Sequence, residues 1–189
     1  GALAGLVVFT LVVAGALLAG VLAPHDPIEQ FRDALLTPPA WNAGGSPRFP
    51  LGTDEVGRDV LSRLLYGART SIGLALVATL GAVLIGAFAG AWAGYRGGWV
   101  DDGIMRTADF VLVLPVIYVV LVLRAMLPLV LAPQTVFLLV TVIFILVGWP
   151  FVAKGVRAIV AVEAGKEYVQ AARSLGASPL RILAVHLIP

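Results

Sequence analysis

The chain is predicted to fold as an all-α, polytopic membrane protein, and three observations predict it. Of its 189 residues, 60% are hydrophobic and 13% charged, with a mean hydropathy of +0.99, far from soluble composition. Uncharged stretches long enough to cross a bilayer core of ~30 Å alternate with shorter charged ones. The last of them is followed by a polar helix-turn-helix from Glu167 to Pro189. The net charge of +2 comes without a basic run or a basic-aromatic patch, so nucleic acid is excluded as a partner and membrane lipid is expected as the surroundings. Absence of cysteine excludes a disulfide framework and thiolate metal sites.

Residues 1–23 carry no charge and are predicted to form the first transmembrane helix. A secretory signal is the rival reading, but its apolar region of ~7 to 15 residues would be shorter and would follow a basic segment. Residues 24–70 turn proline-rich and acidic and are expected to be an extracytoplasmic segment. Within it Val60, Leu61, Leu64, Leu65 and Ala68 share one face of a helix expected to lie in the membrane interface or to pack on the next span. From Ser71 to Gly94 the chain is again uncharged, giving the second span. Gly86, Gly90 and Gly94 recur every four residues there, predicting a seam where another helix approaches closely. Tyr95 to Thr107 reads as a short polar loop. Asp109 to about Leu131 gives the third span, interrupted by Pro115 and Pro128, with Pro133 in the connection. Val136 to about Val152 is the fourth, ending near Trp149 and Pro150 at an aromatic belt. With the first span leading outward, Arg96, Arg106, Lys154, Arg157, Lys166, Arg173 and Arg181 lie inside. They slightly outnumber Arg32, Arg48, Arg58, Arg63 and Arg69 outside, as the positive-inside rule requires.

The helix-turn-helix carries the functional expectation. Tyr168, Ala172 and Leu175 fall at i, i+4 and i+7 on one stripe, with Glu167, Gln170, Arg173 and Ser174 over the remaining surface. Gly176 stands where a helix ends in a left-handed residue, and Ser178-Pro179 supplies an N-cap with proline at the first helical position.

At these residues the chain resembles the ABC importer permeases, whose EAA loop follows the pattern E-A-A-x3-G-x9-I-x-L-P. Ala171, Ala172, Gly176 and Pro189 occupy the expected places, whereas Gln170, His186 and Ile188 depart from it. A closing His-aliphatic-aliphatic-Pro is similar to the dipeptide, oligopeptide and nickel branch of that family. So are LGTDEVGRD from Leu51 to Asp59, the following SRLLYGAR, and DDGIMRTADFVLVLP from Asp101 to Pro115. The resemblance implies an inner-membrane permease domain over 71–189 with an EAA-like coupling loop at 153–189. It also implies that the four spans visible here belong to the family's usual total of about six, so the chain is expected to be a fragment. Implied partners are a second homologous permease subunit, two ABC ATPase subunits and an extracytoplasmic solute-binding protein. Glu167, Tyr168, Gln170, Ala171, Ala172, Leu175, Gly176 and Pro189 would form the ATPase-coupling surface.

No motor is expected within the chain. Gly165-Lys166 is followed by Glu167, and Val160 stands where a P-loop requires glycine, so ATP is expected to serve the partner subunits and no cofactor this chain. His25 and His186 have no ligand partners at metal-binding spacing, and Ser62, Ser71, Ser174 and Ser178 have no histidine base at a recognisable spacing, so catalysis is not expected. Arg124, inside the third span, is either a substrate-path contact or a side chain snorkelling to the outer headgroups. The alternative function is a motor-independent secondary transporter or channel, which would be expected to carry carboxylates within its spans.

Overall fold

The computed structural model describes residues 1–126, 131–183 and 185, with the side chains at 123, 124 and 126 excluded. The described residues are helical apart from turns and one isolated bridge between Thr53 and Asp59. The chain divides into two compact units, Gly1–Ala75 and Leu76–Pro189.

In the first unit, α1 (Ala2–Leu17) and α2 (Ala19–Leu22) occupy the predicted first span. They part at Leu18, whose backbone leaves helical values although its N–H still reaches the Ala14 carbonyl at 2.9 Å. Ala16 and Ala19, on either side of the break, are buried. Gly15 and Gly20 face Leu65 and Tyr66 of α3 (Val60–Arg96). Small residues thus let this apolar helix pair lie close to the first turns of α3.

Residues 23–59 contain no helix and are held by local polar bonds. Buried Thr53 accepts the Thr37 N–H at 2.9 Å and donates to the Ala34 carbonyl. Asp54 accepts the N–H groups of Val56 and Arg58 and pairs with the Arg58 and Arg63 guanidinium groups. Burial works to raise the Asp54 carboxyl, but the bonds from Arg58 and Val56 outweigh it and hold the group at about 2. A depressed carboxylate stabilises the fold above its unfolded value and loses that contribution as pH falls through the folded one. Asp54→Asn is therefore expected to speed amide exchange at Val56 and Arg58 at neutral pH. The difference from the parent should shrink as the pH drops from 3.8 through about 2.

Asp59 caps α3, accepting the Ser62 N–H at 3.0 Å and the Ser62 hydroxyl. The His25 main chain, and not its ring, donates to Ser62 Oγ at 3.1 Å. The ring packs on Phe31 and Phe49, with the Arg48 guanidinium over both phenyl faces. Ser62 is thus committed to the cap, and this cluster is a structural centre of the segment.

α3 continues without interruption for 37 residues, ~55 Å of helix. The stretch expected as a separate interfacial helix is therefore the opening of the second span. Its apolar face at Leu61, Leu64, Leu65 and Ala68 continues the helical periodicity, and Gly67 and Gly73 do not break it.

In the second unit, Gly97 and Gly98, both at positive φ, turn the chain directly into α4 (Gly98–Val113). The region expected as a polar loop is thus largely helical. Within it Asp101 faces α6 (Pro133–Glu163), where it accepts Arg157 Nε at 3.0 and 3.1 Å, and Asp109 further along α4 pairs with Lys154. Proline at 115 ends α4, and α5 (Val116–Met126) departs at 77° over 116–122, far more than a kink. Pro128 lies outside the described residues. α6 starts with Pro133 at its first turn and passes through buried Pro150 to Glu163, so it runs well beyond the expected end at 152. A proline within a membrane helix is tolerated where neighbours satisfy the freed carbonyl. α3 and α6 are each long and apolar enough to cross a membrane, and the bent α4–α5 pair makes a third if it is one broken span and not a re-entrant loop. α1, at 16 residues, is shorter than a span, so the described helices supply two or three of the four expected spans.

Gly86, Gly90 and Gly94 line the contact of α3 with α6. A Cβ at Gly86 would stand 2.6 Å from the Trp149 carbonyl oxygen, at Gly90 2.2 Å from that of Ala153, and at Gly94 2.7 Å from that of Arg157. Backbone meets backbone along this seam, and no side chain larger than hydrogen fits.

Candidate coupling site

α6 delivers the chain to the site. Its end is closed by the Ala164 N–H on the Val160 carbonyl, and Lys166 in extended conformation starts α7 (Glu167–Ser174). Glu163 ties the turn down by accepting Lys166 Nζ at 2.6 Å and the Tyr168 hydroxyl at 2.9 Å. Those bonds raise both the Lys166 ammonium and the Tyr168 phenol above their ordinary values. Gln170 Nε2 adds a bond to the Gly165 carbonyl at 3.0 Å. Glu167 in the first turn and Arg173 in the last complement the helix dipole.

The C-terminus of α7 is a Schellman closure. The Gly176 N–H donates to Arg173 O at 3.0 Å, the Ala177 N–H to Ala172 O at 3.1 Å, and Gly176 has φ +77°. Ser178 then caps α8 (Pro179–Ile182) by accepting the Arg181 N–H at 3.3 Å, with Pro179 in the first turn.

One face of this helix-turn-helix is fixed to the membrane helices. Val169, Ile182 and Leu183 are buried with Val160 of α6 and Ala91 of α3, and Ala172, Ala177, Trp92, Tyr95 and Val156 pack around them. The inward row is Val169 and Ala172, at i and i+3, so of the stripe Tyr168, Ala172 and Leu175 expected to face a partner, Ala172 is half-buried against the chain's own helices. Val169 was not singled out from the sequence, because the stripe drawn there was the one expected to face a partner and the inward anchor depends on Val160, Ile182 and Ala91. Leu175 is 88% exposed and Tyr168 44% exposed, while Glu167, Gln170, Ala171 and Gly176 are also exposed. The outward surface thus joins an aliphatic residue, an aromatic ring and a methyl group inside a polar rim. Pro189 and His186 lie outside the described residues, as does the side chain of Arg124.

Among the described residues, no three His, Cys, Asp or Glu side chains are grouped to hold a metal ion. A polar cleft of about 370 Å³ is lined by Asp101, Asp102, Asp109, Lys154 and Arg157, whose two ion pairs bind α4 to α6. An apolar cleft of about 400 Å³ lies between Ile85 and Ala89 of α3, Trp99, Ile104 and Thr107 of α4, and Trp149 of α6.

Comparison with known proteins bears on both ends of the chain. Residues 82–189 match the family described as binding-protein-dependent transport system inner membrane component. Residues 1–39 match the N-terminal TM domain of oligopeptide transport permease C. A di/tripeptide transport system permease protein of Pseudomonas aeruginosa is 43% identical over 190 residues, covering 100% of this chain and 60% of that protein. A dipeptide transport system permease protein of Escherichia coli K12 is 42% identical over 189 residues, covering 100% and 61%. A peptide transport system permease protein of Shigella flexneri is 35% identical over 173 residues, covering 92% and 56%. The chain thus spans about three fifths of the length of the curated relatives it matches.

Proposed function

The chain belongs to the family of binding-protein-dependent transport system inner membrane components, and from that premise we propose that it serves as a permease subunit of an ATP-driven importer of peptides or a related small solute. The observation that carries the proposal is α7, a short helix immobilised on its inner face by Val169 and offering Tyr168, Ala171 and Leu175 outward. Such a helix has the form of a ligand for a groove in another protein. We assign that groove to an ATPase subunit. The full assembly would contain two such subunits, a second related permease subunit and an extracytoplasmic solute-binding protein. ATP would bind the ATPase subunits, and this chain would supply no cofactor site of its own.

In that assembly the two ATPase subunits close on ATP and carry two coupling helices toward one another. The displacement rocks the attached spans between outward-facing and inward-facing states, biased by the preference of ATP for the closed pair. The α4–α6 ion pairs and the glycine seam suit this task, because they make α3, α4 and α6 respond together.

The test is a partner-binding assay on the intact permease. Ala171→Asp and Leu175→Asp each place a carboxylate on the outward surface, where the parent side chain is exposed. Against an apolar groove an unpaired carboxylate costs more than the ~1 to 3 kcal/mol of an unpaired neutral polar group, so each variant should lose at least roughly 5-fold to 150-fold in affinity. Both variants are expected to insert normally and to lose co-purifying ATPase subunits. Undiminished co-purification and transport in both would remove α7 as the docking element.

A further inference from the structure

We infer that Arg173 and Tyr95 are a positioning pair that sets the angle of α7 and passes its displacement into α3, an inference that rests on reading α7 as the ATPase-facing helix. The guanidinium of Arg173 lies 4.5 Å from the centre of the Tyr95 ring. Tyr95 is in the last turn of α3, one residue beyond Gly94, where α3 and α6 touch backbone to backbone. Val169, one turn before Arg173 on α7, is fully buried against Ala91 and Val160. α7 therefore meets α3 in two ways, through the apolar cluster around Val169, to which Ala172, Ala91, Trp92 and Tyr95 also belong, and through the Arg173 guanidinium on the Tyr95 ring face. The apolar cluster holds the helix in place, and the cation–π contact adds a hold at its last turn.

The division of labour follows from geometry. The Glu163 and Gln170 bonds and the apolar packing around Val169 hold the start and middle of α7, whereas the Arg173 contact ties its last turn to α3. Without the Arg173 link, part of the displacement of α7 on closure of the ATPase subunits would be lost before it reaches α3. Arg173 is exposed, as partner-contacting residues are, but its charge is directed to the chain's own aromatic ring and the link is internal to the permease.

The experiment compares Arg173→Ala, Tyr95→Leu, Tyr95→Phe and the double variant Arg173→Ala/Tyr95→Leu. In the intact permease alone, amide exchange across residues 169–174 is measured. In the complex with its partner subunits, ATPase co-purification and solute taken up per ATP hydrolysed are measured. Arg173→Ala and Tyr95→Leu are expected to speed exchange and reduce uptake per ATP by roughly two- to fivefold, the range of a partly exposed cation–π contact. Tyr95→Phe, which keeps the ring face, should behave as the parent, and the double variant should be no worse than either single one. ATPase subunits should still co-purify with every variant. Unchanged exchange in both single variants would overturn the inference. So would loss of ATPase binding by Arg173→Ala but not by Tyr95→Leu, which would mean that Arg173 contacts the partner. Failure of the functional reading itself would appear separately, as a parent permease that retains no ATPase subunit, and the exchange comparison would still decide the Tyr95 link.

Discussion

Gly176→Val is expected to leave the membrane spans inserted and folded while reducing solute-stimulated ATP hydrolysis by roughly tenfold in the assembled transporter. Its φ of +77° places residue 176 in the left-handed region, and no atom stands within 4 Å of where a Cβ would be. A side chain there meets no neighbour, so the whole penalty is backbone strain. That strain is ~1 to 2 kcal/mol for an ordinary L residue and greater for a β-branched one. The chain relieves it by leaving the left-handed region, which breaks the Gly176 and Ala177 bonds to the last turn of α7. α7 and α8 then lose their fixed angle, and Leu175, next to the turn, points elsewhere. Gly176→Asn should keep most of the activity, because asparagine tolerates this conformation. At matched membrane expression, equal activity of the valine variant and the parent would show that the turn does not orient a coupling surface. Loss of insertion would instead place the residue in folding.

How much of this was legible depends on how local the cause is. Gly176, Ser178 and Pro179 act within a few bonds of themselves, so their turn and cap could be read directly from residue type. The seam of Gly86, Gly90 and Gly94 was legible as a pattern, but its partner was not. Only the structure supplies the Trp149, Ala153 and Arg157 carbonyls opposite it. Asp101, Asp102 and Arg106 made the region around them look like a loop, because charge near a membrane span normally marks water. In the structure Asp101 lies on a helix and is paired with Arg157, 56 residues away in the chain, a partner that no local rule reaches. Val169 illustrates the same limit on a smaller scale. On an eight-residue helix neighbouring stripes differ by a single position, and the packing of Val160 and Ile182 decides between them. The 23–59 segment was read from its composition and from the resemblance of Leu51 to Asp59, but not its internal order, which resides in Asp54, Thr53 and Asp59 bonding to main-chain and side-chain groups that turn formation brings near.

Gly90→Val should abolish the folded permease, and even Gly90→Ala should destabilise it severely. A single added Cβ would lie 2.2 Å from the Ala153 carbonyl oxygen and 2.9 Å from its carbonyl carbon. Those atoms are backbone of a continuous helix, so no rotamer change can make room, and α3 and α6 must separate. Overpacking that side chains can absorb costs ~1 to 3 kcal/mol. Here the cost is larger, because separation at Gly90 also loosens the contacts at Gly86 and Gly94. Without a hydrophobic force between helices in lipid, close packing of this kind is itself the source of association. Gly73→Ala on the same helix is the control. Its Cβ meets nothing within 4 Å, and alanine there should be neutral or stabilise by up to ~1 kcal/mol. The absence of native cysteine allows the seam to be read directly, by placing one cysteine on α3 beside Gly86 and one on α6 near Trp149 and measuring disulfide formation in membranes. Cross-linking and thermal stability should both fall sharply for Gly90→Val and remain at the parent level for Gly73→Ala. Parent-like cross-linking in Gly90→Val would mean that α3 and α6 do not meet through this glycine, and that the two helices could not act as one lever beneath α7.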